Sequence, residues 1–333
     1  MEQKFIAPYF ATRRTFARLS GAVVLAGMGM RSAHAQAATV KVVAAYPAGG
    51  ATDALTRLMA ENLNRISDKN YIVDNKPGAA GKVALAIAMA AKPDGHTLLS
   101  TSSTAFSLNP QTHRDPKEWA IPNMEPVAPL GLVDFAFYVA PNFPANSMEE
   151  YLTVVRQDPK LGFFGTSGIG GVAHFAGLLI RKAARVSLQD VPFAGGGPQM
   201  LSVMGGHTPA GINSIGKPLV QAAEQGKIKI LATLGSKRSP FLPKVPTMRE
   251  LNFPDVVVTD WIGLFAPVGT PSALIAALNA QTAATASQPR FAEALASSML
   301  EPMAASPAEC MELIRRDYKR WEPIIRASGV VAD

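Results

Sequence analysis

Val40-Lys41-Val42-Val43-Ala44-Ala45-Tyr46-Pro47-Ala48-Gly49-Gly50-Ala51-Thr52-Asp53, continuing through Ala54-Leu55-Thr56-Arg57-Leu58-Met59-Ala60, decides how the rest of the chain is read. An apolar β-type run stops at a proline and a Gly-Gly pair, and an amphipathic helical pattern starts directly after them. A helix that begins straight after glycines presents unpaired N–H groups and the positive end of its dipole to whatever lies in front of it. Such a turn is an anion seat built from backbone donors, and its residue types are selected for space and φ freedom. Working outward, short apolar runs at 40–45, 71–74, 97–101, 127–140, 161–165, 189–193, 228–234 and 256–266 alternate with helical patterns. The helical patterns fall near 52–66, 81–91, 148–157, 172–185, 197–205, 216–225, 272–287, 290–298 and 307–327. This alternation predicts mostly parallel α/β sheets with crossover helices.

The chain passes between two such units at Val139-Ala140-Pro141-Asn142-Phe143-Pro144, and again from Phe253-Pro254-Asp255 into Trp261-Ile262-Gly263-Leu264-Phe265-Ala266-Pro267. The expected domains are therefore 38–140 plus 260–333, and 141–259, with a cleft between them that closes on a ligand. The opening device recurs in the second unit. Leu161-Gly162-Phe163-Phe164-Gly165 reads as a strand, Thr166-Ser167-Gly168-Ile169-Gly170-Gly171 as a turn, and Val172-Ala173-His174-Phe175 as the start of a helix. If both turns face the cleft, a carboxylate is gripped from two sides. Hydrogen bonds to a charged group contribute roughly 1.5–3 kcal/mol each, so about four supply most of the ~8 kcal/mol of a micromolar complex, before ordering and desolvation subtract.

Residues 1–35 read as an export signal: Lys4, Arg13, Arg14 and Arg18, an apolar run from Leu19 to Met30, then Ala33-His34-Ala35 as a cleavage pattern. The apolar run is about a dozen residues, short of the roughly 20 a membrane anchor needs. Arg13-Arg14 resembles a twin-arginine signal, with an ordinary Sec signal as the other reading. The whole chain carries +7, from 32 basic and 25 acidic residues. Residues 1–35 hold five of the former and one of the latter, so 27 and 24 remain, or +3, which does not argue for nucleic acid. Cys310 is the single cysteine, so no intrachain disulfide and no cysteine-based metal site is expected.

Gly168-Ile169-Gly170-Gly171-Val172-Ala173 also matches a dinucleotide fingerprint, with Asp190 about 20 residues on; alone, that signal is weak. Gly165-Thr166-Ser167-Gly168-Ile169 fails the G-x-S-x-G elbow of a serine hydrolase. The histidines of the exported part, His96, His113, His174 and His207, have no metal-ligand spacing. His174 is read either as a donor to an anionic ligand or as a residue that orients its turn. Asp53 is read either as a first-turn acid paired with Arg57 or as a receiver of a ligand ammonium or bridging water. Asn75-Lys76-Pro77-Gly78-Ala79-Ala80-Gly81 is a further loop into a helix, and Phe193-Ala194-Gly195-Gly196-Gly197 lines the cleft wall. Asn213 follows the apolar Ala210-Gly211-Ile212 where a polar side chain meets the ligand, Ser102 is a further candidate contact, and Arg315-Arg316-Asp317-Tyr318-Lys319-Arg320 reads as a solvated helix face.

In order along the chain, Tyr46 to Asp53, Asn75 to Gly81, Pro93-Asp94-Gly95-His96-Thr97-Leu98-Leu99, Thr166-Ser167-Gly168 with His174, Ser236 to Thr247 and Trp261 to Pro271 resemble the motifs of the Bug receptors, the exported solute-binding proteins of the tripartite tricarboxylate transporter family. The resemblance spans nearly all of the chain after the signal. It implies a two-lobed periplasmic binding protein, type II-like, that closes on a small mono-, di- or tricarboxylate for uptake or sensing, with no catalysis and no cofactor. A membrane component of the transporter or a sensor protein is the implied partner, and the receptor is expected to be a periplasmic monomer. Carried over, the ligand-holding positions are Ala48, Gly49, Gly50 and Thr52, then Thr166, Ser167 and Gly168. Thr208-Pro209 stands where many members have Val-Asp, and Asn213 near a frequent Asp-Asn pair, which favours simple carboxylates over amino acids. The competing expectation is an exported α/β enzyme, a dinucleotide-dependent oxidoreductase or a hydrolase.

Overall fold

The structure, a computed structural model, describes residues 38–113 and 124–331. The export-signal reading of residues 1–35 lies outside the described residues. From Ala38 onward the chain clusters as one compact unit. Its strands are β1 (Thr39–Ala44), β2 (Asn70–Asn75), β3 (Thr97–Ser102), β4 (Met124–Val139), β5 (Phe163–Thr166), β6 (Gln189–Pro192), β7 (Ala210–Ser214), β8 (Lys229–Thr233), β9 (Thr259–Pro267) and β10 (Glu301–Pro302). They form one sheet path, β2-β1-β3-β9-β4-β7-β5-β6, with β8 and β10 each pairing with β4.

Parallel pairing holds where strand–helix–strand units were expected, β1 with β2 and β3, and β5 with β6 and β7. The antiparallel pairs all involve the two long strands through which the chain passes from one half of the sheet to the other. β9 runs against β3 and against the first part of β4, from Met124 to Asp134; β7 and β8 run against the second part, from Phe135 to Val139. One strand of 16 residues therefore belongs to both lobes.

This register has a geometric consequence. β3 runs in the direction of β4, so the C-terminal ends of β1 and β3 point toward the second half of the sheet. β5 and β7 run against β4, so their C-terminal ends point back toward the first half. The turn after β1 and the turn after β5 thus open toward each other across the middle of β4, where an α/β sheet places its ligands.

β4 begins three residues before the sequence reading puts it, across Pro126 and Pro129. Proline has no N–H to give the ladder, and the β4–β9 register shifts at both, between Pro126 and Ala128 and between Pro129 and Gly131. β7 forms where the sequence shows only a short apolar run. Gly211 weakens its strand signal and is needed there, because a Cβ would meet Gln199 Nε2 at 2.2 Å and the Tyr138 ring at 2.9 Å. The two-residue β10 is too short to have a pattern.

The helices are α1 (Ala51–Ile66), α2 (Lys82–Met89), α3 (Thr104–Ser107), α4 (Asn109–Thr112), α5 (Met148–Gln157), α6 (Val172–Ala184), α7 (Gly196–Met204), α8 (Lys217–Glu224), α9 (Ser272–Ala286), α10 (Pro289–Ser297) and α11 (Pro307–Ser328). The short α3 and α4 fall in a Ser/Thr-rich stretch without helical periodicity. α1 buries Thr52, Leu55, Thr56, Met59, Ala60 and Leu63, one stripe at helical spacing. α6 is buried all round from Val172 to Ile180. α11 opens on a capping box, Ser306 with Glu309, and ends at Gly329 in the left-handed region. One large core cluster runs through both halves of the sheet, and a smaller one, with Phe106, Trp261, Phe265 and Cys310, fills a face of the first.

Candidate functional site

The first turn is built around Asp53. Gly49 is left-handed at φ +84°, and Gly50, the residue before α1, is extended at φ −80° and ψ 171° with no side chain to cap the helix. Asp53, on the first turn of α1 and 4 % exposed, folds back instead, and its Oδ2 accepts the Gly49 N–H at 2.9 Å. Its Oδ1 accepts Asn75 Nδ2 and Arg57 Nε, each at 2.9 Å. Asn75 Nδ2 also donates to Tyr46 O at 3.1 Å, so the end of β2 is tied to the turn after β1. Burial disfavours the Asp53 carboxylate, but the Gly49, Arg57 and Asn75 donors outweigh it and hold the group below the ordinary carboxylate range. The i, i+4 pairing with Arg57 is thus present, and three protein donors already occupy Asp53. Gly49's N–H is spent inside the turn. The N–H groups left for an anion are those at the open end of α1, from Ala51 to Asp53. Thr52 is buried beside them and Ala48 is exposed at the tip.

The second turn repeats the construction. Thr166 ends β5 fully buried, its Oγ1 3.4 Å from Gly168 O; Ser167 is exposed, and Gly168 takes φ +143°. Gly170 is left-handed at φ +76°, Gly171 is extended at φ −84° and ψ 172°, and the Gly170 N–H donates to His174 Nδ1 at 3.0 Å. The other ring nitrogen, Nε2, lies 3.6 Å from Asp190 Oδ1. Burial holds the imidazole below its ordinary pKa, with Asp190 opposing and Arg181 assisting, so the ring is neutral near pH 7. One ring nitrogen thus accepts from the turn, and the other lies beside Asp190 of β6.

Ser102, at the end of β3, belongs to a buried polar cluster. Its hydroxyl donates to Asp260 Oδ2, Ser103 Oγ donates to Oδ1 at 2.8 Å, and the Trp261 N–H donates to Oδ1 at 2.7 Å. Burial raises the Asp260 pKa against these donors, and burial together with the Asp260 charge pushes the Tyr46 phenol up to about 12. Asn213, on β7, turns inward. Its Nδ2 donates to Gly196 O and Gln199 Oε1, each at 3.1 Å, and its Oδ1 accepts the Ser214 N–H at 2.9 Å. Gln199 Oε1 also accepts the Tyr138 hydroxyl, while Nε2 donates to Gly165 O at 3.0 Å, just before the second turn.

The structure thus gathers the sequence candidates into two turns and two supporting networks. Asp260, Gln199 and Asn75 were not among the candidates. An acid just before the apolar Trp261 to Ala266 run was a signal for Asp260; Gln199 gave none, since a lone glutamine in a helix is unremarkable.

The tripartite tricarboxylate transporter family receptor model matches residues 55–330. The chain belongs to that receptor family. BugT of Bordetella pertussis is 27 % identical over 295 residues, 87 % of this chain and 89 % of that protein. Among solved structures, Rpa4515 of R. palustris with adipate is 26 % identical with a TM-score of 0.79, covering 88 % of this chain and 98 % of its own. MatC (Rpa3494) of Rhodopseudomonas palustris with bound malate is 28 % identical with a TM-score of 0.74, covering 86 % and 98 %. The receptor family is one of extracytoplasmic solute-binding proteins, and this chain shares its two-lobed α/β architecture with the solved periplasmic binding protein BugD and a TctC solute binding protein from Polaromonas.

Proposed function

We propose that this receptor works in the periplasm, without catalysis, as a monomer that closes on a small carboxylated solute and hands it to a membrane transporter component or reports it to a sensor. The observation that carries the reading is the pair of opposed turns, each ending in the bare N-terminus of a buried-faced helix. In the first turn the donors are the N–H groups of Ala51 to Asp53, with Ala48 and Gly50 giving the solute room to approach. In the second they are the N–H groups at the start of α6, with the hydroxyls of Thr166 and Ser167 and the open backbone of Gly168. Ser102 and Asn213 hold the walls. Adipate and malate in the solved relatives support a dicarboxylate. The dinucleotide reading has less to stand on, because Asp190, the acid it needs for a ribose, faces His174.

A thermal-shift panel of di- and tricarboxylates, aromatic acids, acidic amino acids, a neutral sugar and a nucleotide, run on protein from Gln36 onward, tests the proposal. A stabilising shift with a carboxylate supports it. A shift with the sugar or nucleotide alone, or turnover of an ester, overturns it.

A further inference from the structure

The two turns share more than glycines. In each, a left-handed glycine precedes an extended glycine at the helix start, and the third helical residue reaches back to the left-handed glycine's N–H, Asp53 to Gly49 and His174 to Gly170. Neither extended glycine has a side chain to close the helix end, and the reach goes one residue further back than in a capping box, to the N–H of the residue before the cap. Chemically the two acceptors differ. A carboxylate accepts an N–H at any pH above its own titration, whereas Nδ1 accepts only while it carries no proton.

We propose that Asp53 and His174 are matched positioning residues, each holding its turn so that the helix-end N–H groups face the cleft, and that the second seat forms only around a neutral imidazole. The inference rests on the carboxylate reading above. With Gly170 donating to Nδ1, the ring proton sits on Nε2 toward Asp190 of β6. The charged groups facing the ring are Asp190 and, from α6 itself, Arg181. Protonation sets one donor against another at 3.0 Å, and the Gly168 to Gly171 backbone has to rearrange. Affinity therefore falls on acidification, although a cation is being added beside an anion seat.

Two measurements test this. In ligand-free protein, ¹⁵N NMR should show the Nε2–H tautomer of His174 and a Gly170 amide that shifts in step with its titration. Calorimetry with malate and adipate at pH 7.5, 6.0 and 5.0 should show weaker binding at acid pH. H174N puts a non-titrating oxygen near the place of Nδ1, so it should weaken binding at pH 7.5 by no more than about threefold and leave an acid limb shallower than the parent's, the remainder being protonation of the ligand itself. H174L should weaken it about tenfold. A Nδ1–H tautomer, a Gly170 amide indifferent to the ring, an acid limb as deep in H174N as in the parent, or affinity that rises on acidification overturns the proposal. The NMR arm needs no ligand, so coupling seen there together with no malate or adipate binding in the calorimetry at pH 7.5 supports the positioning role and overturns the carboxylate reading instead.

Discussion

Asp134 faces Thr259 in the last residue pair that β4 makes with β9; the next residue, Phe135, already pairs with Ser214 of β7. A carboxylate thus occupies the point where one strand changes partners between the lobes. It is 9 % exposed, and its Oδ1 has no hydrogen-bond partner. Burial first, and then the charge of Glu301, push it up to about 6, with Lys237 opposing. A carboxyl raised above its unfolded value contributes stability that is full below about pH 4 and is lost as pH rises through about 6. Asp134→Asn should therefore raise the unfolding free energy at pH 8 by about 1–3 kcal/mol and flatten the profile between about pH 4 and 6. Urea unfolding at pH 5 and pH 8 checks this; equal losses at both would assign the carboxylate another role.

A Cβ on Gly49 would meet only open space, but the residue sits at a φ of +84°. Gly49→Val should cost about 1–2 kcal/mol through backbone strain and leave circular dichroism unchanged. The thermal shift by the carboxylate that stabilises the parent protein should disappear. Binding that persists would move the seat away from this turn.

Gln199 is fully buried and serves Tyr138, Asn213 and Gly165 at once. Gln199→Leu leaves each of those groups without that partner, and an expected loss of about 2–4 kcal/mol should appear as a lower urea midpoint. Ligand affinity should fall as well, since Gly165 leads into the second turn.

Gly177 lies in the middle of α6, where alanine is ordinarily better by about 1 kcal/mol. Here a Cβ would meet the Phe164 ring at 2.0 Å, and Phe164 is fully buried. Gly177→Ala should destabilise by about 1–3 kcal/mol, in spite of its helix propensity. A raised melting temperature would show that the ring moves freely.

Cys310 is buried in the smaller core cluster, and burial, with Glu309 adding to it, pushes its thiol up to about 12. A thiol reagent at pH 8 should label folded protein at the rate of unfolding and unfolded protein at once. Fast labelling without unfolding would show that α11 opens locally.

What could be read along the chain was whatever acts over a few residues. The Gly49-Gly50 and Gly170-Gly171 pairs announced turns before helices because the first glycine of each takes a positive φ that a residue without a Cβ adopts most freely, and the second leaves the helix start without a capping side chain. The helical pattern near 307–327 announced α11, whose capping box of Ser306 with Glu309 depends only on local spacing. The parallel strand–helix units followed from alternating periodicity. Asp53 and His174 were visible as candidates, but whether they touch a ligand or hold a glycine is a question of side-chain direction, and both readings fit the same letters.

The sequence by itself determined the local devices: most of the strands, the starts of the longer helices, and that two glycine turns of one kind exist. Tertiary structure decided what they face. That β4 serves both lobes, that the two turns open toward each other, that Gly211 makes room for Gln199, and that Asp134 is left with a bare oxygen all depend on residues from a dozen to more than a hundred positions apart. Propensity and capping act through one or two turns of backbone, whereas register and burial are set by which distant surfaces pack, and a single strand's pattern does not carry that.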